Sequence, residues 1–371
     1  LLVALVLLGV FSTYLTRPLG KVVAAMRGIV SSGGLSKRVE LIEKDEIGDL
    51  GHTFNLMTAE LQKAYNQIKS HAFKAVVAQK HEQKIRNIFQ KYVPQYVIEE
   101  FLSKPGSLLE ANNRVLAVLF SDIRDFTRLS EGQQPQEVVE GLNAYFTLMV
   151  DIVTSRRGLV DKYIGDGLMA FYGAPVKRAD DAEQAVQSGF EMLEAVEDFN
   201  LRQQKRGRPR FRIGVGINYG IVTIGNMGHP EKKVDYTVIG DMVNLASRLE
   251  GATKFYDVPF LVSESVQQRV RAKLPCRLVD KVRVKGRSEG VRIYHPRKEL
   301  SQTEEKGWKL HHEGTELYYR RDFDKAARYF QYAAEFLPDD PILAMFLARC
   351  RAYGSTPPKA DWDGVEVLPE K

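Results

Sequence analysis

Leu159-Val160-Asp161-Lys162-Tyr163-Ile164-Gly165-Asp166-Gly167-Leu168-Met169-Ala170-Phe171-Tyr172 decides the fold class. Two runs of strand length, Leu159 to Ile164 and Leu168 to Tyr172, flank Gly165-Asp166-Gly167. An Asp-Gly step between such runs signals a hairpin. Upstream, Val115 to Phe120 is an unbroken apolar run, and Pro135 opens a helix with an expected buried face of Val139, Leu142, Phe146, Met149 and Val153. Downstream, Ala182, Val186, Gly189, Leu193 and Val196 mark another helix. Phe211, Ile213, Val215 and Ile217 alternate as a half-buried strand, and Ile221 to Ile224 form a further one. Hairpins mixed with helices predict an α+β sandwich rather than a doubly wound parallel sheet.

The chain has 371 residues, enough for two or three domains. Apolar residues are 44% and charged residues 27%, which excludes wholesale disorder. A net charge of +6 is too weak to argue for nucleic acid. The two cysteines, Cys276 and Cys350, are far apart, which excludes a disulfide scaffold or zinc finger and fits a reducing compartment. The histidines lack HExxH spacing, which argues against a zinc hydrolase.

Leu1 to Leu15 is almost wholly apolar, and Arg17 and Lys21 follow. The chain opens on leucine rather than methionine, so this stretch is expected to be the latter part of a transmembrane helix (residues 1–16) whose exit faces the cytoplasm. No small-residue cleavage site follows it, unlike a signal peptide. Pro18 can open a new helix, along which Leu19, Val22, Met26 and Ile29 recur at helical steps. Ser31-Ser32-Gly33-Gly34 breaks it, and Leu35, Val39 and Ile42 punctuate a polar connector. Ile47, Leu50, Phe54, Met57, Leu61, Ala64 and Ile68 then form a heptad seam. Two short seamed helices, with Asp45-Glu46-Ile47-Gly48 and Phe54-Asn55 on the second, resemble a HAMP domain over residues 17–70. That resemblance implies a parallel dimeric four-helix bundle that relays a signal. Residues 71–104 are expected to be a helical connector, with Tyr92, Val93 and Tyr96 on one face and Pro94 dividing it.

Three segments carry chemistry. Phe120-Ser121-Asp122-Ile123-Arg124-Asp125-Phe126-Thr127 ends a buried strand in a carboxylate and turns into a helix. A helix start suits phosphate, and a carboxylate beside it can hold a magnesium ion that the phosphates share. Asp166, at the hairpin tip, is the second carboxylate, and two on adjacent strand ends could hold two metals. Asp125 competes with Asp122, and spacing alone does not separate them. In Asp235-Tyr236-Thr237-Val238-Ile239-Gly240-Asp241-Met242-Val243-Asn244-Leu245-Ala246-Ser247-Arg248-Leu249-Glu250, Asp241 is the expected helix cap. Asn244 and Arg248 are four apart on one helical face, where an amide and a guanidinium could orient a ribose and neutralise a pentavalent phosphate.

In order and spacing these segments resemble the class III nucleotidyl cyclase catalytic domain over residues 105–297. The resemblance implies a ferredoxin-like α/β sandwich that works as a homodimer with sites shared between chains. Asp122 and Asp166 would be the ligands of two Mg2+ or Mn2+ ions, assisted by the Ile123 carbonyl. Asn244 and Arg248 would act on the transition state, and Lys285 would meet the terminal phosphates. Phe126 and Thr127 of the first motif would border the substrate. Lys162 and Thr237 fall on the purine-selecting positions. A lysine donor suits adenine N1 and a threonine acceptor suits N6, whereas guanine would put N1–H against the lysine. Threonine can also donate, so the discrimination rests mainly on Lys162. The expected activity is a membrane-anchored adenylate cyclase of the inner membrane, catalytic domain in the cytoplasm, with ATP as substrate and no nucleic-acid partner. Guanylate cyclase and a non-catalytic signalling scaffold are the alternatives.

Residues 298–371 are expected to be a helical tail. Leu310, Gly314, Leu317, Ala326, Phe330, Ala333 and Pro338 have the spacing of one tetratricopeptide repeat, which the tail resembles. One repeat cannot bury its own face. The tail is therefore expected to pack on its own chain, a partner chain or another protein.

Overall fold

In a computed structural model the described residues are 2–11, 16–40, 45–89, 111–229, 233–283 and 290–367. The chain divides into two units, Leu1–Gln95 and Tyr96–Lys371. The first begins with α1 (Leu2–Phe11) and α2 (Arg17–Ser32). Pro18 lies in the first turn of α2, where its missing N–H costs nothing. Gly33 closes α2 in the left-handed region. Asp45 Oδ1 accepts from the Ile47 and Gly48 amides and so caps α3 (Glu46–Phe89). The helix continues through the expected connector as far as Phe89, and Tyr92, Val93, Pro94 and Tyr96 lie outside the described residues. Val22, Val39 and Phe54 are buried together, with Ala25 and Ile29 against them. The Asn55 amide pairs with both the N–H and the carbonyl of Val39, pinning the connector to α3. Leu19, Met26, Leu50, Met57, Leu61 and Ile68 stay exposed in the single chain. Among the described residues no helix is long and apolar enough to cross a membrane.

The second unit runs β1 (Asn112–Ile123), α4 (Phe126–Ser130), α5 (Pro135–Ser155), β2 (Leu159–Ile164), β3 (Gly167–Tyr172), α6 (Asp181–Gln204), β4 (Ile213–His229) and β5 (Lys233–Ile239). It continues with α7 (Asp241–Phe255), β6 (Phe260–Ser263), α8 (Glu264–Val270), β7 (Cys276–Arg283) and β8 (Val291–Pro296). The tail adds α9 (Gln302–Tyr319), α10 (Phe323–Phe336), α11 (Pro341–Ser355) and β9 (Glu366–Val367). Among the described residues nine strands make one sheet, ordered β2-β3-β1-β4-β6-β8-β7-β9, with β5 on β4. Apart from β4 with β6 and β7 with β9, the pairs are antiparallel, which makes this a mixed α+β fold.

The run at 115–120 is apolar throughout because β1 is covered on both faces. Ala117 and Leu119 join the layer of α5 and α6, while Leu116 and Val118 join that of α7. Four of the five residues expected on the buried face of α5 pack against the core, Met149 and Val153 fully and Leu142 and Phe146 in part, and Val139 departs from it. Val139 is 56% exposed, and Gly141, Tyr145, Met149 and Val153 are buried. Tyr145 is admitted because its hydroxyl bonds Ser121 Oγ at 3.3 Å. The two strands expected at 211–217 and 221–224 are one strand, β4, and its first half is buried rather than half-buried. Ile213, Val215 and Ile217 face α5 and α6. A Cβ on Gly216 would lie 2.1 Å from the Glu250 amide nitrogen, and one on Gly214 would lie 2.3 Å from Thr253 Oγ1. These glycines let α7 rest on the sheet backbone.

The tail packs on its own chain. Tyr318, Phe330, Ala333 and Phe346 share a cluster with Leu245 and Leu249 of α7 and Val279, Val282 and Ile293 of the sheet. The capping box Ser301–Glu304 starts α9. Asp280, fully buried, accepts from Arg349 at 2.9 Å and Tyr256 at 2.7 Å, linking β7, the residue that closes α7, and α11. Arg277 makes a two-pronged pair with Asp340, the cap of α11.

Candidate active site

β1 and β3 are neighbours, with Ser121 opposite Leu168, so Asp122 ends β1 beside the hairpin tip. Ile164 pairs with Gly167, which leaves Gly165-Asp166 as a two-residue turn, one shorter than expected. Asp122 and Asp166 are both half-buried. Burial raises the Tyr145 phenol well above its usual range, and the charges of Asp122 and Asp166 push it the same way. A Cβ on Gly167 would come 3.0 Å from Asp122 Oδ1 and 3.2 Å from the Ile164 and Ser121 carbonyl oxygens. Glycine therefore leaves open a small cradle lined by oxygen atoms between the two strand ends.

The other carboxylate of the first motif goes elsewhere. Asp125 is exposed in the left-handed conformation and bonds Lys254 near the end of α7, which holds its carboxyl below the usual range. Phe126 turns inward, edge-on to Phe211 at 6.4 Å, and Thr127 is exposed. Between them and β1, Arg124 donates to the Thr253 and Val258 carbonyls at 2.9 and 2.6 Å. It fastens the acidic loop to the end of α7, a part that the sequence does not show because the partners, Thr253 and Val258, lie 129 and 134 residues away and accept through their main chain.

Gly240 precedes α7 with φ 136°, a value suited to glycine, and Asp241 is the first helical residue rather than the cap. Asn218, buried in β4, donates to the Met242 carbonyl at 2.9 Å and fixes this helix start. Leu245 and Leu249 point inward, whereas Asn244 is exposed and Arg248 half-buried. The face bearing the amide and guanidinium is thus presented outward.

Lys162 and Thr237 meet at a third carboxylate. Asp161 Oδ2 accepts from the Thr237 hydroxyl at 2.9 Å and lies 3.4 Å from Lys162 Nζ. The Asp161 side chain is fully buried, Thr237 is 6% exposed and the Lys162 side chain 40%. Burial raises the Asp161 carboxyl above the usual range, against the pull of Thr237 and Lys162. Strand alternation would send Asp161 and Lys162 to opposite faces. The β2–β3 register shifts between Val160 and Lys162, so Asp161 is an extra residue with no partner across the ladder. Sequence reading passed over Asp161 because period-two reasoning cannot show a bulge. Lys285 lies outside the described residues.

Residues 110–297 match the adenylate and guanylate cyclase catalytic domain, and residues 10–63 match the HAMP domain. The chain belongs to the adenylate and guanylate cyclase catalytic domain family. Within it, this member carries a HAMP domain earlier in its sequence. An adenylate cyclase of Anabaena cylindrica is 34% identical over 278 residues, covering 71% of this chain and 51% of that protein. Adenylate cyclase 1 of Rhizobium meliloti (strain 1021) is 36% identical over 208 residues, covering 56% and 31%. A bacterial light-regulated adenylyl cyclase superposes with a TM-score of 0.53 at 26% identity, covering 61% of this chain and 65% of that one. The chain thus spans about half or less of the length of these curated relatives.

The family implies a divalent metal. Among the described residues no cluster of three or more His, Cys, Asp or Glu side chains could hold one unaided. The Asp122 carboxylate and the Ile164 and Ser121 carbonyl oxygens around the Gly167 cradle, with Asp166 next to Gly167 in the chain, do fit a hard cation that takes its other ligands from phosphate and water.

Proposed function

We propose that the chain is an adenylate cyclase that converts ATP to 3′,5′-cyclic AMP and pyrophosphate. The observation that carries the choice of purine is the meeting of Lys162 and Thr237 at Asp161, from positions 76 residues apart in the case of Asp161 and Thr237. An ammonium donor for adenine N1 and a hydroxyl acceptor for N6 are thereby side by side. In the reaction the ribose 3′-oxygen bonds to the α-phosphorus as the bond to the bridging oxygen breaks. Pyrophosphate leaves, and the hydroxyl proton passes to water or a substrate phosphate.

Asp122, Asp166 and the Ile123 carbonyl would hold two Mg2+ or Mn2+ ions, which when bound lower the pKa of the 3′-hydroxyl and share the phosphate charge. Asn244 orients the ribose and Arg248 neutralises charge on the pentavalent phosphorus. Lys285 meets the terminal phosphates, and Phe126 and Thr127 border them. The outward face of Asn244 supports a homodimer in which each chain lends α7 and the base-reading pair to its partner's carboxylates.

The exposed heptad positions of α3 support a parallel four-helix HAMP bundle across that dimer, relaying a signal through residues 71–104. The apolar stretch at 1–16 supports anchorage as the end of an inner-membrane helix, with residues 105–297 in the cytoplasm. The α9–α10 pair supports a single tetratricopeptide-like repeat within 298–371, a surface on which a protein partner could also act.

A cyclase assay on the full chain, with ATP and GTP and each metal, tests the activity: cyclic AMP is the expected product, and preferential cyclic GMP or no turnover refutes it. Asp122→Ala and Asn244→Ala are each expected to be inactive and to recover activity when mixed. Confirmed heterodimers without recovery would exclude shared sites. Cosedimentation of the full chain with lipid vesicles checks the anchorage.

A further inference from the structure

A threonine hydroxyl is an ambiguous reader of purines, because it can accept from adenine N6 or donate to guanine O6. The bulge in β2 removes that ambiguity. Asp161 stands where two residues of β2 oppose one of β3, and bulges re-aim side chains beside active sites. Its carboxylate is fully buried, yet it faces a hydroxyl at 2.9 Å and an ammonium at 3.4 Å. An ionised carboxylate only accepts hydrogen bonds. The proton in the Asp161–Thr237 bond therefore comes from Thr237.

We infer that Asp161 is a specificity-determining residue: it commits the Thr237 proton and so presents Thr237 to the purine as an acceptor only. The inference rests on the proposed base-reading role of Lys162 and Thr237. A ligand bearing an exocyclic amine at C6 finds a lone pair waiting, and one bearing an oxo group meets a second oxygen with no proton between them. The same carboxylate holds Lys162 Nζ on its side of the site, so the donor and the acceptor share one support. Asp161 acts through these two residues and is a positioning residue. The ammonium nearby favours its ionised form, although burial opposes it and Asp235 on β5 adds a like charge.

The test compares kcat/KM of the full chain for ATP, GTP and purine riboside triphosphate, which lacks the C6 amine. Asp161→Asn keeps the shape, but its amide can donate to Thr237 and release the hydroxyl proton towards the ligand. The ATP-to-GTP ratio is expected to fall at least about tenfold, the size of one hydrogen-bond mismatch. The ratio of ATP to purine riboside triphosphate should fall alongside it, because only ATP carries the amine that Thr237 accepts from. General damage to the site would lower both substrates equally, so an unchanged ratio between these two overturns the inference. Circular dichroism and the melting midpoint of Asp161→Asn establish that it folds. Asp161→Glu, which keeps the charge, serves as the second variant and should retain more of the ATP preference.

Thr237→Val separates the levels of the argument. If it alters the ATP-to-GTP ratio while Asp161→Asn does not, the role of Asp161 is refuted alone. If Thr237→Val also leaves the ratio unchanged, the base-reading assignment of Thr237 falls with it. A wild-type chain that cyclises neither nucleotide refutes the proposed function.

Discussion

The helices of the first unit and those of the tail are built from similar amounts of apolar sequence and end in opposite conditions. In α2, α3 and their connector the buried cluster is small, Val22, Val39 and Phe54, and the heptad positions Leu50, Met57, Leu61 and Ile68 face outward. In α9 to α11, Tyr318, Phe330 and Phe346 are sealed against α7 and the sheet. The tail spends its apolar face within its own chain and is part of the catalytic unit's core, whereas the first unit leaves its apolar face exposed in the single chain.

The largest test of this contrast is Asp280→Ala. It would leave the Arg349 guanidinium, 16% exposed, with only the more distant Glu366 at 3.9 Å, at a cost of about 3 kcal/mol, the low end for breaking a buried pair. Calorimetry should show a much lower melting transition for the second unit, and limited proteolysis should cut the tail. A tail that stays protected would show that the apolar cluster alone holds it.

A smaller effect comes from pH. His295 bonds the Phe260 carbonyl and lies near Arg277, Arg297 and Asp340, and its pKa is lowered to about 4 by burial. His311, packed between Phe330 and Phe346, is also lowered by burial. The unfolded chain takes up these protons near pH 6.5, and the folded chain refuses them until lower pH. Stability of the second unit therefore falls as pH drops from about 6.5 toward 4. Melting curves of wild type and His295→Gln over that range should converge as pH falls, since the variant lacks one of the two penalties. A constant gap would remove His295 from the account.

The smallest expected stability effect is Leu61→Ala in α3. The side chain is exposed, so the isolated chain should change by about 0.5 kcal/mol or less. Sedimentation should nonetheless show weaker self-association. Unchanged association would mean that this seam is not the meeting face.

The sequence made much of the catalytic unit legible. The hairpin within 159–172 and the helix marked by Ala182, Val186, Gly189, Leu193 and Val196 follow from turn chemistry and periodicity, whereas the preference for Asp122 over Asp125 comes from the family resemblance. What escaped has particular causes. Tyr145 was passed over because a hydroxyl looks misplaced in a core until its Ser121 partner is visible. Gly214 and Gly216 sit silently inside the alternation of Ile213, Val215 and Ile217, since a sequence does not show a helix pressing on them. Asp161 was hidden by a one-residue irregularity in register. The docking of the tail could not be placed because Leu245 and Leu249, its targets, lie inside a motif whose polar members drew the eye.

Gly214 stands opposite Asp122 in the β1–β4 ladder and also beneath α7. The Thr253 and Glu250 side chains of α7 press on Gly214, and two residues along the strand the α7 main chain itself presses on Gly216, so the acidic strand end is coupled closely to the helix with Asn244 and Arg248. Such a joint has almost no play. If the two halves of this chain serve different sites of a dimer, a nudge to either one is felt at both, and the pair of sites behaves as a single linkage rather than two separate machines.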